Sequence, residues 1–285
     1  MESNNAVDNV AADIFRRAQH FSRYAARILQ ADPALVSDPG WNEPFKRQEM
    51  LASLPTGADE EALSIALRRL RRRVMFRTIA RDLSGLADLQ EVVTTVTALA
   101  EVAIESSVGM VHASLVERYG EPIGTDSGTP QQMHVVGMGK LGGAELNASS
   151  DIDLVLLYPE EGDTNGDRSI SNHEFFTRVA RRVIALVGEY TAEGFVFRVD
   201  TRLRPYGDSG PLVMSFDMLE NYLITQGREW ERYAWIKARA LTGDAREPLM
   251  KLVRPFVFRR HLDYSAFSSM RELHAQVRRE VARRE

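Results

Sequence analysis

Two aspartates, Asp151 and Asp153, stand on either side of one isoleucine at the start of an apolar segment. The segment IDLVLLY, residues 152–158, is short and continuously apolar, which predicts a buried β-strand. Because strand side chains alternate between two faces, both carboxylates should point in the same direction. Carboxylates this close repel each other unless a cation lies between them, and their oxygens suit Mg²⁺ together with substrate phosphates. The pair therefore predicts a Mg²⁺ site; capping of the strand edge or pairing with arginine is the structural alternative.

A third carboxylate, Asp200, lies in the alternating segment FVFRVDTRL, which predicts a strand over residues 195–203. If that strand lies beside the first, Asp200 completes a cluster of three metal-binding carboxylates. Arg202 and Arg204 share its face in this pattern, where they would neutralise phosphate oxygens. A strand held by ion pairs, with no ligand, is the alternative interpretation.

A glycine-rich stretch, GMGKLGGAELNASS, covers residues 137–150 and follows a strand predicted over residues 133–137. Its Gly-x-Gly-x-x-Gly spacing is typical of dinucleotide-binding folds. Too few residues remain before the next strand for the crossover helix that such folds need. A Walker A phosphate loop is also excluded, because Leu141 follows Lys140 where serine or threonine is required.

The same stretch suits a different phosphate-binding loop. Gly142 and Gly143 would let backbone N–H groups approach phosphate oxygens, and Ser149 and Ser150 would add hydroxyl donors. Lys140 is either a further phosphate ligand or a solvated loop lysine. Phosphoryl-type transfer depends on positioning and charge neutralisation, and metal ions on shared carboxylates stabilise both the entering and the leaving oxygen. The glycines and carboxylates together predict phosphoryl-type chemistry.

The surrounding pattern predicts an α+β fold, in which a small mixed β-sheet core is flanked by N-terminal and C-terminal helical regions. Residues 59–119 have few helix breakers and should contain two or three helices. A polar loop is expected over 159–172 and a helix over 173–189. The predicted regions are 1–127 (helical), 128–214 (catalytic core) and 215–285 (helical). The last region stops inside a helical charge pattern, which suggests that it is truncated.

The composition limits the class of protein. The 285 residues are 44% hydrophobic and 27% charged, with a formal net charge of −4 and no cysteine. The absence of cysteine excludes disulfides and thiolate zinc sites and agrees with a cytoplasmic protein, and no signal peptide is visible. The acidic balance argues against nucleic-acid binding, and no apolar run is expected to approach the length of a membrane span. Neither nucleic acid nor a membrane is therefore expected as a partner.

Two groups of arginines have both functional and structural interpretations. The basic run over residues 68–81 contains few aromatic residues, so a solvated or ion-paired helix face is favoured over a nucleic-acid patch. Arg228, Arg232, Trp235 and Arg239 fall on one face of a predicted helix. There they would meet phosphates, a protein substrate or neighbouring acids.

Three longer stretches carry a family resemblance. GMGKLGGAELNASSDIDLVLLY, GFVFRVDTRLRPYGDSGPLVMSF and GREWERYAWIKARALTGD, in that order, closely resemble the bifunctional glutamine synthetase adenylyltransferase/adenylyl-removing enzymes of the nucleotidyltransferase superfamily. The resemblance implies that Asp151, Asp153 and Asp200 bind the metal and that Gly142 and Gly143 are the family's glycine pair. Full-length members carry two such cores, one for each opposing activity, whereas this chain carries one.

The resemblance also implies a reaction. It extends from about residue 68 to the C-terminus, and GREWERYAWIKARA with its helical lead-in resembles the N-terminal, adenylyl-removing half. That half is expected to use inorganic phosphate to attack adenylyl-tyrosine on adenylylated glutamine synthetase, releasing ADP and the unmodified enzyme. The other half transfers AMP from ATP to the same tyrosine, and a catalytically silent docking domain is a third alternative. Any regulation by the PII signalling protein would act through the full-length enzyme.

Overall fold

The computed structural model describes residues 2–38, 40–57, 59–243 and 246–258, together with 271–272, 275, 278–279 and 282–283. The chain forms two compact units, each built from three separated segments. Unit 1 contains residues 1–111, 144–152 and 182–199, and unit 2 contains residues 112–143, 153–181 and 200–285. The predicted C-terminal helical region includes residues 259–270, which lie outside the described residues.

The described part of the chain contains ten α-helices and seven β-strands, so the predicted α+β class is confirmed. The helices are α1 (Glu2–Phe21), α2 (Arg23–Ala31), α3 (Arg47–Ala52), α4 (Glu60–Leu83), α5 (Leu89–Tyr119), α6 (Gly139–Gly142), α7 (Asn172–Gly188), α8 (Phe216–Thr225), α9 (Glu229–Trp235) and α10 (Arg246–Val257). The strands are β1 (Pro122–Gly124), β2 (His134–Gly137), β3 (Ile152–Tyr158), β4 (Gly162–Thr164), β5 (Val199–Asp200), β6 (Val213–Ser215) and β7 (Arg239–Ala240). Short 3-10 helices occur at Pro33–Ser37 and Gly207–Ser209.

Capping residues set where the helices of unit 1 begin. Ser22 caps α2 and Asp59 caps α4, and each side-chain oxygen accepts a hydrogen bond from the backbone N–H three residues later. After α4, Gly85 has a φ of +70°, a left-handed conformation that suits the end of a helix. The predicted run over residues 59–119 therefore contains two helices, α4 and α5.

Helix α4 buries part of the basic run that the sequence placed on a solvated or ion-paired face. Four of its arginines are less than 10% exposed: Arg68, Arg71, Arg77 and Arg81. Arg77 pairs with Asp38 at 2.9 Å and Glu49 at 2.7 Å, and Arg81 pairs with Glu91 at 2.6 Å. The ion-paired part of the prediction is confirmed, but a solvated face is wrong for these residues. Long arginine stems can fill the interior when carboxylates, carbonyls or rings replace water around the charged group.

Arg68 holds the segment that precedes β5 against α4. Its Nε donates to the Gly194 carbonyl at 2.8 Å, and its terminal nitrogens donate to the carbonyls of Leu186 and Glu189 at 3.0 and 2.6 Å. The residue is 1% exposed, and burial lowers the pKa of its guanidinium from the ordinary value. One side chain thus joins parts of unit 1 that lie 126 positions apart in the sequence.

Helix α5 is 31 residues long, with a most apolar stretch of mean hydropathy 1.3. Among the described residues it alone is long and apolar enough to cross a membrane, by length and composition only. Within the protein, 56% of that stretch is buried, as expected for the core helix of a globular fold. The expectation that no apolar run approaches such a length is therefore wrong for α5. Threonines, serines and glutamates interrupt the apolar run, but its mean hydropathy stays as high as that of a membrane-spanning helix.

A five-stranded sheet has the order β5-β3-β2-β7, with β6 beside β3. Strands β2 and β3 are antiparallel, with His134 opposite Leu157 and Gly137 opposite Leu154. Strand β7 is antiparallel to β2, whereas β6 is parallel to β3. The sheet is therefore mixed, as predicted. Strand β3 has the predicted bounds, and within it only Asp153 is less than fully buried.

A second sheet has two strands, and one of them, β4, lies in the segment that the sequence predicted as a polar loop. Strands β1 and β4 pair antiparallel, with Pro122 opposite Thr164. The side chain of Asn172 donates to the Ile123 carbonyl at 2.9 Å and so ties the start of α7 to β1. Both strands are three residues long and rich in glycine or polar residues, so they lack the apolar alternation by which strands are predicted.

The strand predicted over residues 195–203 is much shorter in the structure, where only Val199–Asp200 is strand. Asp200 Oδ1 accepts a hydrogen bond from the Arg202 N–H at 2.8 Å. The Arg204 N–H then donates to the Thr201 carbonyl at 3.1 Å. Such local bonds favour a turn over an extended strand, so Arg202 and Arg204 do not continue the predicted alternation.

The core of unit 2 joins the sheet to α8, α9 and α10. Its buried side chains include Val136, Val155, Leu157, Met214, Leu219, Trp235, Leu249 and Val253. Helix α9 ends at Trp235, and Arg239 lies in β7. The prediction of a single helical face that includes Arg239 is therefore wrong. Sequence spacing did not reveal that the helix stops where the chain turns back to join the sheet.

Candidate active site

Asp151 lies in unit 1, immediately before β3, and its carboxylate forms an ion pair with Arg198. The Ile152 N–H donates to the Arg198 carbonyl at 2.9 Å, and the Arg198 side chain also donates to the Ser149 carbonyl at 3.2 Å. The side chains of Asp151 and Arg198 are 48% and 66% exposed. The structure thus contains the arginine partner that the sequence left open as the alternative. An exposed pair of this kind is weak, so a ligand can replace the arginine at little cost.

The two serines before Asp151 form a compact turn with Asn147. Ser149 Oγ and Ser150 Oγ both donate to Asn147 Oδ1, at 3.2 and 2.9 Å. The Ser149 N–H donates to the same oxygen at 3.2 Å, a bond typical of a turn that an asparagine side chain fixes. The turn sets the path of the chain into Asp151. A role for either hydroxyl in binding phosphate stays a prediction.

Asp153 is the half-buried second residue of β3 and belongs to unit 2. Its backbone carbonyl accepts the Met138 N–H at 2.9 Å, which brings the glycine-rich segment beside it. Gly139 follows with a φ of +53°, and a Cβ at this position would lie 2.9 Å from Asp153 Oδ2. Glycine is therefore needed for the backbone to approach this carboxylate. This role of Gly139 was not predicted from the sequence, although the Gly-x-Gly spacing contained its signal.

Asp200 forms the best-defined ion pair of the candidate site. Arg202 Nε donates to both carboxylate oxygens, at 3.0 and 2.9 Å. The Asp200 side chain is 19% exposed, whereas that of Arg202 is 72% exposed. Hydrogen bonding to Arg202 holds the pKa of Asp200 below its ordinary value and raises the pKa of Arg202. Asp200 is therefore ionised at neutral pH, the state that a metal ligand requires.

Asp153 and Asp200 both interact electrostatically with the guanidinium of Arg202. The charge of Asp153 is among the causes that raise the pKa of Arg202, after the larger effect of Asp200. Arg202 therefore interacts electrostatically with two of the predicted metal ligands, both in unit 2, and most strongly with Asp200. Arg202, predicted as a phosphate ligand, binds Asp200 here.

The two other predicted cations differ sharply in environment. Arg204 is 9% exposed, and one terminal nitrogen donates to the carbonyl and the hydroxyl of Thr201, both at 2.9 Å. It also pairs with Asp208 at 3.4 Å, so it stabilises the turn after Asp200. Lys140 is exposed and has no hydrogen-bond or ion-pair partner among the described residues.

The glycine pair lies at the end of the short helix α6. The N–H groups of Gly142 and Gly143 donate to carbonyls of the same turn, at 3.0 and 3.1 Å. A Cβ on Gly142 would overlap the Lys237 carbonyl, so close packing of two backbone segments already requires this glycine. Arg239 donates to the Gly142 carbonyl at 3.1 Å and so caps the helix. Contact of these N–H groups with phosphate stays a prediction.

No group of three or more His, Cys, Asp or Glu side chains among the described residues is arranged to hold a metal ion. The donor chemistry of Asp153 and Asp200 in unit 2 nevertheless suits Mg²⁺, because both offer carboxylate oxygens. A role for Asp151 as a metal ligand stays a prediction. The arginines that pair with Asp151 and Asp200 are mostly exposed, so moving either one into water carries a small desolvation cost. Substrate phosphates would supply the remaining oxygen ligands.

The fold agrees with the nucleotidyltransferase class. It has a small mixed sheet, a glycine-rich turn beside one acid-bearing strand, and a further acid on the neighbouring strand. A sequence model of the glutamate-ammonia ligase adenylyltransferase family matches residues 13–252. The chain therefore belongs to this family, and the resemblance drawn from its sequence is confirmed.

Several curated relatives support the assignment, and each is named a bifunctional glutamine synthetase adenylyltransferase/adenylyl-removing enzyme. The relative from Chromobacterium violaceum is 58% identical over 281 residues, which are 97% of this chain and 31% of the relative. The relative from Nitrosomonas eutropha is 52% identical, over 96% of this chain and 31% of the relative. The relative from Thioalkalivibrio sulfidiphilus is 48% identical, over 99% of this chain and 30% of the relative. The chain thus spans about a third of the length of the relatives it matches.

Proposed function

We propose that this chain removes the adenylyl group from glutamine synthetase by phosphorolysis. The observation that carries the proposal is the ionised Asp200 paired with the exposed Arg202, in a chain of the glutamate-ammonia ligase adenylyltransferase family. Adenylylated glutamine synthetase and inorganic phosphate would be the substrates. ADP and unmodified glutamine synthetase would be the products.

The reaction exchanges one phosphorus–oxygen bond for another. An oxygen of inorganic phosphate attacks the phosphorus of the adenylyl group and forms the bridge of ADP. The bond from that phosphorus to the tyrosyl oxygen breaks, and the tyrosyl oxygen takes up a proton. No covalent enzyme intermediate is needed, so the protein acts by positioning the groups and stabilising charge.

The acids and the arginines have different roles in the proposed reaction. Asp151, Asp153 and Asp200 would hold Mg²⁺, which would neutralise charge on the phosphates when bound. The exposed guanidinium of Arg202 would bind a phosphate oxygen if Asp200 held a metal ion in its place, which is the role that the sequence predicted. Arg198 has the same opportunity beside Asp151, since it too is an exposed partner of a carboxylate.

The choice of the removing activity has its own support. The segment GREWERYAWIKARA, with its helical lead-in, resembles the N-terminal, adenylyl-removing half of the family. The names of the relatives carry both activities. Transfer of AMP from ATP to the same tyrosine is therefore the second candidate, since it would use the same acids.

The first experiment follows ADP release from adenylylated glutamine synthetase with Mg²⁺ and the chain, with and without inorganic phosphate. We expect ADP only when phosphate is present. Asp153→Asn and Asp200→Asn should lower the rate by more than roughly 100-fold, because loss of an outer-shell partner of a metal already costs 10- to 100-fold. Asp163→Asn is the matched control, since Asp163 is an exposed acid of unit 2 on β4.

Other outcomes would select other functions. AMP incorporation from ATP into unmodified glutamine synthetase, without phosphate-dependent ADP, would assign the transferring activity instead. Binding of glutamine synthetase with neither reaction would favour a silent docking domain. Full activity in Asp153→Asn and Asp200→Asn would contradict the proposed site.

A further inference from the structure

Unit 1 contains a cavity of about 800 Å³ whose lining residues all belong to that unit. Pockets for organic ligands typically measure roughly 300–1,000 Å³, so the size suits a small molecule. Five arginines line the cavity against one acid, Glu193. They are Arg27, Arg68, Arg71, Arg72 and Arg198. This excess of positive charge occurs in a chain whose formal net charge is −4.

Three of the five arginines are already satisfied by the protein. Arg68 donates to backbone carbonyls, Arg72 pairs with Glu193, and Arg198 pairs with Asp151. Arg27 and Arg71 differ, because no carboxylate of the described residues lies within ion-pair distance of either. The cavity therefore keeps two positive charges that a bound anion would neutralise.

Arg71 is the stronger indication of a ligand. It is 8% exposed, and its guanidinium lies 4.8 Å from the ring centre of Phe195 and 5.4 Å from that of Tyr24. It donates to the Tyr24 hydroxyl, whereas its buried Nε has no hydrogen-bond partner among the described residues. A buried cation without an opposing charge is costly, and an unused donor of this kind suits an anionic oxygen.

An exposed aromatic ring adds a second requirement. Tyr190 lines the cavity with 78% of its surface exposed, and its ring centre lies 5.4 Å from that of Phe195. Such a ring offers a flat surface on which a planar ligand can stack. We propose that the cavity binds a nucleoside phosphate, with the phosphate at Arg27 and Arg71 and the base on Tyr190. Ser149, Ser150 and Arg198, which lie close to Asp151 in the sequence or pair with it, also line the cavity. The proposed contacts are at Arg27, Arg71 and Tyr190, so the proposal does not rest on the phosphorolytic function.

Calorimetric titration with ADP in the presence of EDTA tests the proposal, because chelation suppresses nucleotide binding that needs metal on the acids of the candidate active site. We expect Arg27→Ala and Tyr190→Ala each to raise the Kd for ADP roughly tenfold, the effect of losing one charge-assisted or stacking contact. Arg23→Ala is the matched control, since Arg23 is exposed on the same helix, one turn away, and does not line the cavity. Its Kd should equal that of the unchanged chain.

Comparison of ligands and of variants completes the test. Adenosine and inorganic phosphate should each bind at least roughly tenfold more weakly than ADP, since each lacks one of the two contacts. Phosphate that binds as tightly as ADP would overturn the nucleoside assignment. Two results would overturn the cavity as the binding site. One is an unchanged Kd for ADP in Arg27→Ala and Tyr190→Ala, and the other is an equal rise of that Kd in Asp200→Asn. Both cavity variants alter exposed side chains, so the test does not depend on replacing the buried Arg71.

Discussion

Among single residues, Arg202 controls the charge of Asp200. Its hydrogen bonds hold the pKa of that carboxyl below the ordinary value, so the acid stays ionised as the pH falls through the usual range for aspartate. We expect Arg202→Gln to raise the pKa of Asp200. Titration of the carboxyl carbons by NMR measures this change. Arg168→Gln replaces an exposed arginine of the same unit and should leave the value unchanged.

The same substitution should alter stability in acid. A folded-state pKa below the unfolded value stabilises the protein above the unfolded pKa, and that contribution is lost as the pH falls through the folded pKa. In Arg202→Gln the two pKa values move closer together, so less stabilisation from Asp200 remains to be lost. At pH values above the unfolded pKa, the variant should therefore be less stable than the unchanged chain. Equal stability of the two proteins across pH 3 to 7 would contradict the assigned cause.

The backbone conformation of Gly139 leads to a prediction about the stability of the fold. Its left-handed backbone and the nearby Asp153 carboxylate both oppose a side chain. We expect Gly139→Ala to lower the free energy of unfolding by about 1–3 kcal/mol through backbone strain alone, with a further loss from contact with Asp153. Urea denaturation measures the effect. Gly128→Ala isolates the strain, because Gly128 has a φ of +65° and no atom within 4 Å of its added Cβ.

Residue types and spacing predicted the acids but only part of their surroundings. Asp151 and Asp153 were found because a two-residue spacing at the start of a strand is visible in the sequence. Arg198 was missed, although it shares the two-residue spacing of Asp200 and Arg202. Its pairing with Asp151 joins residues 47 positions apart, and such a contact is not encoded in local spacing.

Among the structural elements, α4 depends on the buried Arg68. Replacing it with methionine would leave the carbonyls of Leu186, Glu189 and Gly194 without this donor. We expect Arg68→Met to lower the free energy of unfolding by roughly 3–5 kcal/mol, since each buried carbonyl that loses its partner costs about 1–3 kcal/mol. Equilibrium denaturation in urea measures the loss. Arg69→Met should cost no more than about 1 kcal/mol, because the Arg69 side chain is 62% exposed in its pair with Glu193.

Elements with a strong apolar pattern were predicted well. Strand β3 and helices α4, α5 and α7 follow from continuous apolar runs or from apolar residues at helical spacing. Strands β1 and β4 were missed because three polar or glycine-containing residues carry no such pattern. The strand over 195–203 was predicted too long, because the side-chain bond of Asp200 to the backbone acts against the alternation around it.

For the whole molecule, the expected metal site predicts a change in thermal stability. A ligand that binds the folded state stabilises it by about 2.7 kcal/mol at 100 times its Kd. We expect Mg²⁺ to raise the Tm of the chain, and to do so much less in Asp153→Asn and Asp200→Asn. Monovalent salt at matched ionic strength controls for screening of surface charge. An equal rise in Tm in the variants would show that Mg²⁺ binds elsewhere.

The division of both units among separated segments has a consequence for how the protein can be made. The first 111 residues of unit 1 cannot complete their packing alone, because residues 182–199 supply the carbonyls that Arg68 binds. During synthesis, α4 therefore leaves the ribosome more than a hundred residues before the partners of its buried guanidinium exist. A fragment that ends near residue 127 would permanently lack those partners. Expression of such fragments should yield chains that chaperones retain, whereas chains extended past residue 199 should be able to close this unit.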